Sequence, residues 1–87
     1  MLGDEIEDLI DALLPAVDQQ LQSSETAYVE KCLRRLVKEH RIEREEALEM
    51  IAFCLALVTD DMMKSGKEFD HKRYQKLLQK LPSLPEE

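Results

Sequence analysis

Residues 44–64 constrain the fold more than any other stretch of this chain. Ala47, Leu48, Ile51, Ala52, Leu55, Val58 and Met62 recur at the spacing of one helical face, and Phe53, Cys54 and Leu57 fill in the remaining sides. A helix that is apolar nearly all round lies at the centre of a bundle or is covered by something else. At 87 residues the chain fits one domain, which hides only about 60–65% of the surface its unfolded form exposes. One modest core around this helix is what such a chain can build. Two dispositions follow for the run Met50 to Val58. Either the neighbouring helices wrap it completely, or Phe53 and Leu57 stay at the surface as contacts for a partner.

The other elements are also helical. Ile6, Leu9, Ile10, Leu13 and Leu14 fall at helical spacing behind Asp4, predicting a first helix over 4–14 with its acids at the favourable N-terminal end. Pro15 interrupts that pattern, while Val17 and Leu21 continue its apolar face. Residues 16–22 are therefore either a kinked continuation or a short second helix opening at the proline. Gln22-Ser23-Ser24-Glu25 is a polar break with a capping serine. After it, Tyr28/Val29, Cys32/Leu33 and Leu36/Val37 predict a helix over 24–40. Its other side carries Lys31, Arg34, Arg35 and Lys38, read as a solvated basic face.

Arg44 opens the central helix, with Glu45, Glu46 and Glu49 near its positive end, and Gly66 stops it because glycine takes the left-handed conformation at little cost. Asp70 reads as the N-cap of a last helix over 71–81, with Phe69 and Tyr74 placed as a hydrophobic staple across the cap. Leu77, Leu78 and Leu81 continue the apolar edge of that helix. Lys72, Arg73, Lys76 and Lys80 form its basic edge, and Pro82 ends it. No strand pattern or internal repeat is present. The expected architecture is an all-α bundle of about four helices in a single domain, 1–81, followed by a flexible tail, 82–87.

The run from Arg44-Glu45-Glu46-Ala47 through Gly66-Lys67-Glu68-Phe69-Asp70 to Tyr74 and Leu81-Pro82 resembles the C-terminal part of small bacterial all-helical domains. The resemblance spans residues 44–82, about half the chain. It implies a bacterial, cytoplasmic protein and brings no activity to assign to these residues.

Net charge is −7, but its distribution is more telling. Residues 1–30 carry eight acids and no Lys or Arg, giving −8, whereas residues 31–87 carry eleven acids and twelve bases, giving +1. A surface of one sign repels nucleic acid and attracts basic partners, the protein's own basic faces included. Candidate partner-contacting residues are therefore Asp4, Glu7, Asp8 and Asp11, together with Phe53 and Leu57. The expected partner is a protein, either a second copy of this chain or another one, with no small molecule implied.

Other chemistries fare worse. The soft metal ligands Cys32, Cys54, His40 and His71 include no two within seven residues of each other, unlike the close pairs of zinc sites. Glu68-Phe69-Asp70-His71 is one Glu-x-x-His segment, but His40 follows Val37 at that spacing, so the second segment that a diiron bundle needs is missing. Neither a metal nor any other cofactor is implied. Both cysteines sit in apolar helical patterns, where a thiol behaves as a small hydrophobe. Ser23 and Ser24 are explained by capping. Asp60-Asp61 and Glu45-Glu46 diverge around their helix instead of converging on a substrate, and no glycine-rich phosphate loop exists. The expectation is therefore a protein that is not an enzyme.

Length and acidity invite comparison with acyl carrier proteins, whose prosthetic-group serine stands in an Asp-Ser-Leu motif. The serines here read Gln22-Ser23-Ser24-Glu25 and Lys64-Ser65-Gly66, which excludes that reading.

Nucleic-acid binding through Lys31, Arg34, Arg35, Lys38 and Arg41, with Lys72, Arg73, Lys76 and Lys80 as a second stripe, is the main alternative. The overall acidity opposes it. The helix after the turn at 40–43, which a helix-turn-helix would place in the groove, opens with acids and then becomes apolar. The longest apolar run is nine residues, against about 20 for a bilayer span, and the N-terminus lacks a signal peptide's basic flank. The expected location is cytoplasmic, with no membrane contact.

Overall fold

The computed structural model describes the backbone over residues 3–84, with side chains from Glu7 onward. It is an all-α bundle of four helices: α1 (Gly3–Gln22), α2 (Ala27–Lys38), α3 (Arg44–Ser65) and α4 (His71–Lys80). A single 3-10 turn, Ser24–Thr26, precedes α2. The α3 helix is the central element. It packs most extensively along α1 and is flanked by α2 and α4.

Pro15 lies inside one continuous α1, which resolves the alternative left open at that residue. Pro15 is exposed, as is Asp11, whose carbonyl loses its usual N–H partner one turn later. Water can serve that carbonyl on the outer side of the helix, so the missing hydrogen bond does not break it. On the inner side, Ile10, Leu13, Leu14 and Leu21 pack around the fully buried Val17.

Residues 24–40 divide, contrary to a single α-helix. The Ser23 hydroxyl accepts the Glu25 N–H at 3.3 Å, and the Thr26 hydroxyl donates to the Gln20 carbonyl at 2.7 Å. These local bonds hold 24–26 as a tighter turn, and α2 begins only at Ala27. At the far end, Arg41 adopts the left-handed conformation (φ 56°). The chain folds back there, so that the Ile42 N–H donates to the Leu36 carbonyl at 3.1 Å.

Gly66 ends α3 in the left-handed conformation (φ 73°, ψ 9°), its N–H donating to the Met62 carbonyl at 2.9 Å. Asp70 caps α4 by accepting the Arg73 N–H at 3.0 Å, and the Phe69 and Tyr74 rings meet edge-to-face with centroids 5.7 Å apart. Cap and staple thus form as the spacing predicts. Leu81 is extended (ψ 143°), the conformation favoured before proline, and α4 stops at Lys80.

The core joins Val17 of α1, Val29, Cys32, Leu33 and Leu36 of α2, Ile51, Cys54, Leu55 and Val58 of α3, and Tyr74 and Leu78 of α4. The buried Tyr74 hydroxyl donates to the Gln20 side-chain oxygen at 2.7 Å, linking α4 to α1. Within 50–58 only Met50 and Phe53 are partly exposed; Leu57 is 8% exposed. The bundle therefore wraps its central helix, with α2 contributing alongside α1 and α4. Leu57 packs inside the domain and is not the surface contact that its position on an all-round apolar helix suggested.

Candidate protein-docking surface

The outer side of α1 is acidic along most of its length. Glu7, Asp11 and Asp18 recur at spacings of four and seven, and Asp8 lies beside them, so burying Ile10, Leu13 and Val17 turns all four carboxylates outward. Ala12 and Pro15, also exposed, form a small apolar strip among them. Asp4 continues the pattern, but its side chain lies outside the described residues. Three acids elsewhere are paired, Glu30 with Arg34, Asp60 with Lys64 at 3.0 Å, and Asp61 with Arg73, whereas Glu45, Glu46 and Glu49 of α3 are, like those of α1, in no ion pair among the described residues. Among the described residues, no ion pair uses Glu7, Asp8, Asp11 or Asp18.

The basic stripes on α2 and α4 are not the free faces their spacing suggested. Arg35 shares an edge of α2 with Cys32, one turn apart, and that edge faces α4. Its guanidinium donates to the carbonyls of Leu78 at 3.0 Å and Leu81 at 2.7 Å. It thereby adds a partner to the Leu78 carbonyl, which also accepts the Leu81 N–H at 3.2 Å, and engages the Leu81 carbonyl just past the end of α4, where a positive charge meets the helix dipole favourably. Arg34 is held by Glu30 and Arg73 by Asp61. Lys31, Lys38, Arg41, Lys72, Lys76 and Lys80 remain exposed.

Open clefts among the described residues include one of about 560 Å³ between the end of α3 and the start of α4. It mixes Asp61, Glu68 and Asp70 with Lys64, Lys67 and Arg73, so no charge of one sign prevails. A second, about 370 Å³, separates α2 from α4 beside Tyr28, Lys31 and Arg35. The third, about 380 Å³, has an apolar floor of Leu21, Leu33 and Val37 and a rim bearing three bases, Arg34, Lys38 and Arg44, and one acid, Glu30. Val37 is 36% exposed, a large apolar side chain left at the surface. This groove draws on α1, α2 and the first residue of α3. Its one signal in the sequence is Val37 at the margin of the α2 stripe.

Neither cysteine is arranged as a nucleophile. Burial raises the pKa of the Cys32 thiol, an effect that the charge of Arg35 partly opposes, and the thiol donates to the Leu78 carbonyl at 3.5 Å. Arg35 is thus on the Cys32 side of α2, where the sequence placed the neighbouring bases on another face. Burial also raises Cys54, with the proximity of Cys32 adding to it. His40 and His71 are exposed, and His71 stacks edge-on against Phe69 at 4.9 Å. Among the described residues, no group of three or more His, Cys, Asp or Glu could hold a metal ion, and no helix is long and apolar enough to cross a membrane.

Comparison with known proteins finds no matching family model, no matching curated protein and no matching solved structure.

Proposed function

We propose that this chain is a non-catalytic, cytoplasmic docking module that binds a basic protein surface, on its own kind or on another chain, through the outer face of α1. The observation that carries this reading is that Glu7, Asp8, Asp11 and Asp18 are all exposed and have no ion-pair partner among the described residues. Unpaired charge of one sign steers association and adds little to the fold itself. The commitment of Arg35 to two carbonyls, and the carboxylates of Glu30 and Asp61 beside Arg34 and Arg73, favour a protein partner over nucleic acid, because one cation of the two stripes is taken up and two stand next to acids that repel phosphate.

The test is retention by the tagged chain from a bacterial lysate that also contains the untagged chain, at low and moderate salt. The expected result is a retained protein that is lost at moderate salt and from the variant D8N/D11N/D18N. No retention at low salt, or equal retention by the neutralised variant, would overturn the reading.

A further inference from the structure

We propose that the groove floored by Leu21, Leu33 and Val37 receives the acidic outer face of α1 from a second copy of this chain, so that two copies pair reciprocally. The inference rests on the docking role of α1 and names its partner.

The two surfaces match in charge and in apolar content. The groove presents Lys38 and Arg44, both exposed and without an ion pair among the described residues, beside the partly exposed Val37. Arg34, on the same rim, is already engaged by Glu30. The α1 face presents Asp8, Asp11 and Asp18 beside the exposed Ala12 and Pro15. Each surface is therefore a small apolar strip flanked by charge, with opposite signs. Asp11 and Asp18 are about 10 Å apart along the helix, at about 1.5 Å per residue.

The surfaces also lie next to each other on one molecule. Leu21, in the groove floor, follows Asp18 by three residues on α1. Adjacent patches of opposite sign are self-complementary about a two-fold axis, because each copy then offers its acid to the other's base. The charge of −7 on each copy opposes approach at a distance. Salt at about 0.15 M confines that repulsion to roughly 8 Å and leaves close opposite charges attracting.

The experiment is sedimentation velocity of the full chain at about 0.15 M salt with two charge-reversed variants, K38E/R44E and D11K/D18K. All four positions are exposed, and far-UV circular dichroism checks that both variants fold. Wild type should dimerise, and each variant alone should weaken dimerisation by about tenfold or more, the scale of a close interfacial charge pair. An equimolar mixture of the two should restore it, since every contact between the variants again joins opposite signs. A monomeric wild type, a dimer indifferent to both reversals, or a mixture that fails to re-associate would each overturn the proposal. If wild type is monomeric but the tagged chain still retains another protein through Asp8, Asp11 and Asp18, only the second-copy assignment falls. If it retains nothing, the docking role of α1 falls with it.

Discussion

The guanidinium of Arg35 on α2 donates to the backbone carbonyl of Leu81 at 2.7 Å, just past the last residue of α4 and 46 residues along the chain. The same group serves the Leu78 carbonyl at 3.0 Å. Hydrogen bonds made by a charged donor contribute about 1.5–3 kcal/mol. Arg35→Met is therefore expected to lower unfolding free energy by about that amount, read from urea denaturation. Arg35→Lys should recover only part of it, because an ammonium lacks the fork that spans two carbonyls. An unchanged urea midpoint in Arg35→Met would mean that water serves these carbonyls equally well.

Alkaline pH should destabilise the fold. The Cys54 thiol is pushed up to about 12, by burial first and by nearby Cys32 second, from an ordinary 9.0. Burial also raises the Tyr74 hydroxyl, with Tyr28 and the two thiols adding to the effect, above the usual 10.0. Both groups keep their protons in the folded chain at pH values where the unfolded chain has lost them. Their stabilising contribution is therefore complete below pH 9 and declines from there up to about 12. The slope is about 1.4 kcal/mol per pH unit for each group ionised only in the unfolded chain. Urea midpoints that stay constant through this window would contradict the assignment.

Gly66 isolates a conformational cost. A Cβ built there meets nothing within 4 Å, so only the positive φ of 73° opposes a side chain. Gly66→Ala should cost about 1–2 kcal/mol, the price of the left-handed conformation for an L-residue. Gly66→Asn should cost less, since asparagine visits that region more readily. Thermal melts of the two variants check the order.

Leu57→Glu should lose at least about 3 kcal/mol and can unfold the domain, because the carboxylate enters a site only 8% exposed with no partner for it. Phe53→Glu should cost less, because Phe53 is half-buried. A fully folded Leu57→Glu protein with weakened self-association would return Leu57 to the interface.

Local chemistry made much of this fold legible. Asp70, Phe69 and Tyr74 define the start of α4 within a few residues, and Gly66 defines the end of α3, so spacing alone places both boundaries. The fate of Pro15 was not local, since it depends on which side of α1 faces water, and that is fixed by the packing of Val17 against the core. Arg35 departs from the solvated face that its spacing predicts for a related reason. Helical spacing gives the edge it occupies but not the carbonyls that its long side chain reaches on another helix. The acids of α1 could be read directly, because a run of residues without a single base stays acidic however it folds. The groove could not, because Leu21, Val37 and Arg44 come together only when three helices meet.

The link between Gly66 and Asp70 is exposed except at Phe69. Three contacts that hold α4 to the other helices, Tyr74 on Gln20, Arg35 on Leu78 and Leu81, and the buried Leu78, lie outside it. A chain nicked between Lys67 and Glu68 would retain every one of them. The last helix thus stands to the other three as a tethered peptide stands to its receptor, and the tether, apart from the Phe69 ring on Tyr74 and the Asp70 cap, contributes a high effective concentration.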